Sequence, residues 1–352
     1  MADRNVTACF WLVLAALTMS ACAGPNVFIL HSPIQPSNTQ PVTYAARAVD
    51  SDGVASMEIW EDRNTLSLCS NGMQCATRVS TSLLRTCNFN PPQTSATCTF
   101  TTASGYPDGS FIGYRLVARD ALGNSSSEGW IYYAAGAFPW PNNPIPIYGT
   151  GAPAEKIDVV FIPDTDYGGN NNQFMLDVTS LVTNGYLSTQ PFGQEIRLWR
   201  GFWNLYITYQ TGDAKGYQNG CNQAPANWAN LSTIVNSGGI VHTANLRDCG
   251  GIGNGSLFSI MAGANNTLVH ETGHSVFSLA DEYCCDGGYW QIGPEANVFS
   301  SQANCQANAT SHGWPTSDCV QIGTTGWWRS DGANDLMAGG GQNGRSDRGR
   351  IY

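Results

Sequence analysis

Residues 265–285 read NNTLVHETGHSVFSLADEYCC, and this stretch decides what kind of fold the second half of the chain adopts. His270 and His274 stand four residues apart. In a helix that spacing sets both imidazoles on one face, one turn apart, where they can share an ion, with Glu271 beside them for a water on it. With five histidines and eight glutamates among 352 residues, random placement yields an H-E-x-x-H pentad in roughly two chains per thousand. The flanks suit a buried helix. Leu268, Val269, Val276, Phe277 and Leu279 offer apolar packing, and NNT at 265–267 offers capping residues ahead of it. The bland alternative is a core helix carrying two hydrogen-bonded histidines.

Catalytic zinc takes three protein ligands and keeps a fourth position for water. The strict metzincin pattern puts Gly seven and His or Asp ten residues after the first His, but those positions hold Phe277 and Ala280. One residue later stand Asp281 and Glu282. A helix that ends or turns near Ser278 swings one of them toward the metal, and Asp281 is the favoured third ligand. Glu282, His312 and His242 are the alternates.

The segment HETGHSVFSLADEY resembles the signature of the bacterial IgA-peptidase family of zinc metallopeptidases, a His-Glu-x-Gly-His core followed by Leu-x-Asp-Glu-Tyr. Gly273, Leu279, Asp281, Glu282 and Tyr283 match it beyond the pentad. IDVVFIPDTDY, QPF and FWNLY resemble the family's upstream segments, so the likeness covers roughly residues 154–340. Pro163 and Thr165 depart from it by flanking Asp164 where glycines are expected. The resemblance implies a metzincin-like zinc endopeptidase acting on a protein or peptide. It does not imply that the substrate is an immunoglobulin.

The chemistry expected of such a site is hydrolysis with one zinc ion on His270, His274 and Asp281, lowering the pKa of a bound water and polarising the scissile carbonyl. Glu271 is the general base and returns the proton to the leaving amine. Tyr283, Tyr289 and His312 are candidate donors to the developing oxyanion. Met337, in NDLMAGGG, is the candidate for a Met-containing turn under the zinc site. Gly273 has a plainer reading as a point of close backbone packing.

Composition sets the context. Only 12% of residues are charged against 42% hydrophobic, and the net charge of −10 offers no basic footprint for nucleic acid or anionic lipid. Residues 1–23 read as a signal peptide, with an apolar run too short to span a membrane. ACA ending at Ala23 suits ordinary cleavage, whereas MSAC makes Cys22 a lipidated residue and the chain a surface-anchored lipoprotein; both readings stand. Membrane attachment is expected through that lipid alone. Outside the leader, ten cysteines divide into four in the first half and six in the second. Even counts in an exported chain point to disulfides within each half, with Cys69–Cys75 and Cys87–Cys98 as the expected local pairs.

Residues 25–134 offer alternating segments (VTYAARAV, ASMEIWE, ATCTFTT, IGYRLVAR, GWIYYA) separated by turn signals such as DSDG, and read as an immunoglobulin-like β-sandwich. The uncharged, Pro-rich residues 135–153 read as a linker. KIDVVFIP, FWNLYITY and TIVNS read as strands around a helix at NQFMLDVTSLVTNGYL, so residues 154–352 are expected to form an α/β (α+β) zincin-type metallopeptidase domain. DSDG is a fragment of a calcium loop that a β-turn explains as well, and no metal is assigned to it. The competing function is a secreted or surface-anchored binding protein, an adhesin, whose zinc site is not catalytic. Oligomeric state is not legible.

Overall fold

The computed structural model describes residues 24–330 and residue 337, apart from 71, 129, 139–142, 150–155, 187–202, 247, 254 and 284–296. The leader with Cys22, the QPF segment, Cys284, Cys285 and Tyr289 lie outside the described residues. The protein is mostly β-sheet and divides into two compact units, residues 1–67 with 76–139, and residues 68–75 with 140–352.

The first unit is compatible with a β-sandwich. Its strands are β1 (Asn26–Ser32), β2 (Thr43–Leu68), β3 (Gln74–Thr101), β4 (Ser110–Asp120), β5 (Ser125–Ser127) and β6 (Trp130–Ala135). They run in the order β1-β2-β4-β6, with β3 on β2 and β5 on β4. Alternate residues enter the core. Val27 and Ile29 of β1, Tyr44, Ala46, Ala48, Met57 and Ile59 of β2, and Ile112, Tyr114 and Leu116 of β4 are all buried together. Glu61 is buried among them, and its carboxylate accepts from the hydroxyls of Tyr44 (3.1 Å) and Tyr106 and from Arg63 Nε (2.9 Å). Those donors satisfy a polar group that would be costly to bury without partners.

VTYAARAV and ASMEIWE, expected as separate short strands, are one strand. The DSDG signal between them is absorbed as an irregularity, with Gly53 at φ 89° and a register shift between Val54 and Ser56 against β4. A bulge consumes the same left-handed glycine that a turn would, so the two look alike in sequence. Both expected local disulfides, Cys69–Cys75 and Cys87–Cys98, are present, together with Cys221–Cys249 and Cys305–Cys319.

In the second unit β7 (Ile145–Gly149), β8 (Ile157–Pro163), β9 (Trp203–Ile207), β12 (Ser237–His242) and β13 (Ser256–Met261) lie in the order β7-β9-β8-β12-β13. A short hairpin of β10 (Asp213–Gly216) and β11 (Cys221–Gln223) intervenes in the chain. β8, β9, β12 and β13 are mutually parallel, and β7 is antiparallel to β9. Parallel strands are covered on both faces, which is why IDVVFIP is almost wholly buried. β7 falls inside the expected linker: Ile145, Pro146, Ile147 and Tyr148 are buried, and the register shift between Pro146 and Tyr148 accommodates the proline.

The strand expected at TIVNS begins only at its last residue, Ser237. The true strand SGGIVH carries two glycines because a Cβ at Gly238 would meet the Trp228 ring at 2.5 Å, and one at Gly239 the Phe258 ring at 2.6 Å. Helix α1 (Asn171–Leu181) buries Phe174, Val178 and Leu181 as its spacing predicts and runs on into a wider turn, Val182–Tyr186. A one-turn helix α2 (Trp228–Leu231) precedes β12, and α3 (Asn265–Ser275) follows β13. The last segment is α4 (Gln302–Ser311), with a small sheet of β14 (Val298–Phe299), β15 (Val320–Gln321) and β16 (Trp328–Arg329), packed around the Cys305–Cys319 disulfide.

Candidate metal centre

Helix α3 carries the pentad. β13 enters it through a tight turn, with Gly263 at φ 83° and Ala264 N–H donating to Met261 O at 3.0 Å. The turn leaves Ala264 at the N-cap, so NNT forms the first helical turn and does not cap it. Thr272 donates to Leu268 O (2.7 Å) and accepts from the Tyr186 hydroxyl (2.6 Å), tying the helix to the turn after α1. Glu271, Thr272 and His274 are buried. His270 keeps a 15% exposed side chain.

After Ser275 the chain reverses. Ser278 sits in the left-handed region at φ 55°, its N–H donates to His274 O at 3.1 Å, and Leu279 N–H reaches back to Gly273 O at 3.0 Å. The Asn297 amide then grips Ala280 on both sides, accepting from its N–H (2.8 Å) and donating to its carbonyl (2.7 Å). These clamps return Asp281 to the helix. The turn residue and Asp281 each stand one position later than in the strict metzincin pattern, so the three-residue spacing between them is kept.

Three atoms result in a nearly equilateral triangle: His270 Nε2, His274 Nε2 and Asp281 Oδ1 are each 3.2 Å from the other two. His274 Nδ1 faces Leu279 O at 2.7 Å. A carbonyl can only accept, so Nδ1 carries a proton, and Nε2 is the ring nitrogen left for an ion. Burial would raise the Asp281 pKa, but hydrogen bonds from His270 and His274 and their charge outweigh it and hold the carboxyl well below the usual range. The donor set fits zinc. Two imidazole nitrogens and one carboxylate oxygen, each 3.2 Å from the others, are donors of the type and number that would hold one such ion.

The other candidates divide. Met337 is fully buried, its carbonyl accepts from Glu282 N–H (2.9 Å), and its sulfur fills the space beneath Gly273. Gly273 therefore makes room for a side chain, where backbone packing was the plainer expectation. The Tyr283 ring lies along His270, with centroids 6.3 Å apart and planes 27° from parallel. Glu282 is buried away from the triangle and accepts from Asn297 Nδ2 at 3.0 Å. His312 is exposed at the end of α4, stacked on Trp314 and bonded to Asn308 O. His242 bonds within its own loop, to Ala244 O (2.9 Å) and Asp248 Oδ1 (2.6 Å). Neither His312, His242 nor Glu282 joins the cluster that His270, His274 and Asp281 form.

Asp164 serves the turn after β8: its carboxylate accepts from Asp166 N–H (2.8 Å) and Ala214 N–H (2.5 Å). Burial nevertheless raises its pKa, those two bonds opposing. Sequence reasoning missed Gly250. A Cβ there would stand 2.5 Å from Glu271 Oε2, and the only available signal was an unremarked CGGIGNG run.

No protein-family model and no curated protein matches the chain. Among solved structures it is similar over part of its length to Spo0M, a sporulation control protein from Bacillus subtilis, at 9% identity and a TM-score of 0.24, covering 34% of this chain and 51% of that one. The chain thus spans about half the length of that protein. It is also similar to the putative ApaA protein from Bordetella pertussis, at 11% identity and a TM-score of 0.18, covering 33% of this chain and 97% of that one. These likenesses are too slight to define fold or activity.

Proposed function

We propose that the protein is an exported zinc-dependent endopeptidase of the bacterial IgA-peptidase type, an immunoglobulin-like β-sandwich joined to a zincin-type catalytic domain. One observation carries this reading: the even triangle of His270, His274 and Asp281 with Glu271 next to it on the same helix. A closed structural zinc site takes four protein ligands, and among the described residues this cluster has three.

Zinc bound there supplies a Lewis acid that polarises a carbonyl and acidifies water. The Glu271 carboxylate takes a proton from the attacking water and delivers it to the departing amine nitrogen. Tyr283, beside His270, offers its hydroxyl to the oxyanion that develops on the scissile carbonyl. Leu279 O holds the His274 ring in one tautomer. The disulfides suit an oxidising, extracellular setting. No helix among the described residues is long and apolar enough to cross a membrane. Export, by ordinary cleavage or with a lipid at Cys22, belongs to this same proposal.

The test is hydrolysis of a mixed peptide library by oxidised mature protein and by Glu271→Gln at matched zinc content. Cleavage by the wild type alone supports a peptidase with Glu271 as base. Absence of cleavage by both, with zinc bound to both, favours the binding-protein reading.

A further inference from the structure

The loop from β12 to β13 is pinned at several points. Asp166 Oδ2 accepts from Thr243 N–H (2.8 Å), Thr243 Oγ1 (2.8 Å) and Ala244 N–H (3.0 Å). Asp248 takes His242 Nε2 on one oxygen (2.6 Å) and Met261 N–H on the other (3.2 Å). Cys249 is tied by its disulfide to Cys221. The next residues then run antiparallel to β13, with Ser259 N–H donating to Cys249 O (2.9 Å) and Gly251 N–H to Leu257 O (2.7 Å).

Gly250 lies in the middle of this fixed segment. Its backbone is outside the left-handed region, so its conformation does not demand glycine. What demands it is space: a Cβ at 250 would lie 2.5 Å from Glu271 Oε2 and 3.3 Å from Phe258 Cβ. The first is too close for any side chain, while the second requires small adjustment. Since the segment is held by three acidic or disulfide anchors, the flexible carboxylate is what must yield.

We propose that Gly250 is a positioning residue for Glu271. The bare backbone at 250 is the wall that fixes the side of the site on which the carboxylate rests, and an added methyl group pushes it out of line with the attacking water. This rests on the peptidase reading for its catalytic meaning, but not for the contact itself, and the two are separable.

The experiment is a double-mutant cycle with Gly250→Ala and Glu271→Ala, read by urea unfolding of the oxidised, zinc-loaded protein, with peptide kinetics on Gly250→Ala beside it. In the Glu271→Ala background, Gly250→Ala should raise the urea midpoint, because alanine fits the backbone and restricts the unfolded chain. With Glu271 present the midpoint should stay level or fall. Gly250→Ala should keep one zinc per chain, leave KM within about twofold and lose at least about tenfold in kcat. Equal midpoint shifts in the two backgrounds would overturn the contact. Coupled midpoints with an unchanged kcat would overturn the positioning role. A wild type that cleaves nothing, with the midpoints still coupled, would overturn the peptidase reading and the catalytic role of Gly250 with it, while leaving the contact established.

Discussion

The sulfur of Met337 lies 2.9 Å from the point where a Cβ on Gly273 would stand. Helix α3 is thus seated on a methionine at the turn between His270 and His274. An alanine in a helix is ordinarily worth about 0.5–1 kcal/mol over glycine, whereas overpacking a filled core costs about 1–3 kcal/mol. The second effect should win. Gly273→Ala is expected to destabilise the protein by about 1–2 kcal/mol, and the cost should shrink in a Met337→Ala background, where urea midpoints of the four proteins measure the coupling.

Chelation and ligand substitution test the triangle. At zinc concentrations a hundredfold above Kd, bound metal adds about 2.7 kcal/mol, and its removal should lower Tm by about 5–10 °C. Asp281→Asn should weaken zinc binding by about a hundredfold or more, roughly 3 kcal/mol. Glu282→Gln and His312→Ala should bind zinc like the wild type. Competition with a chromogenic chelator ranks all four, and full affinity in Asp281→Asn would remove it from the ligand set.

Asp158 gives a pH signature away from the metal. Burial raises its pKa to about 7, against hydrogen bonds from Asn204 (2.9 Å) and Tyr206. A carboxyl whose folded pKa exceeds its unfolded value favours folding while protonated, and that contribution erodes from about pH 4 and is gone above about pH 7. Asp158→Asn should therefore gain on the wild type by roughly 2–4 kcal/mol at pH 8 and show little difference at pH 4. Denaturant titrations of both proteins at the two pH values check the sign.

His242 behaves in the same sense through a different cause. Burial lowers its pKa, but the bond to Asp248, that carboxylate's charge, the Ala244 carbonyl and the field of Asp164 overcome it and raise the pKa above 6.5. The advantage of the charged pair is complete below pH 6.5 and disappears as pH rises through the folded value. Wild type should lead His242→Gln by about 1–3 kcal/mol at pH 6, with the lead narrowing at pH 9. A constant lead at both pH values would mean that the ring is held neutral.

The pentad was legible because a helix converts a spacing of four into a shared face, and Asp281 because a turn near Ser278 leaves few other destinations for the chain. β12 was hidden for the opposite reason. Its glycines have no strand preference and are dictated by two aromatic rings, Trp228 and Phe258, supplied from elsewhere. Gly250 was illegible on the same ground: the atom that requires it, Glu271 Oε2, is 21 residues away in sequence. β7 was concealed by prolines that an irregular strand pair tolerates, and the length of β2 by a turn signal spent on a bulge.

The left-handed Ser278 also bears on how such sites can be sought. Ser278 and Asp281 have moved together by one place relative to a rigid ruler laid from His270, while the step between them has not changed. A search template anchored on the histidines alone, with a fixed count to a third candidate ligand, passes over this chain. One that lets the helix end float, then requires a residue tolerant of positive φ and an acid or histidine three positions on, would retain it.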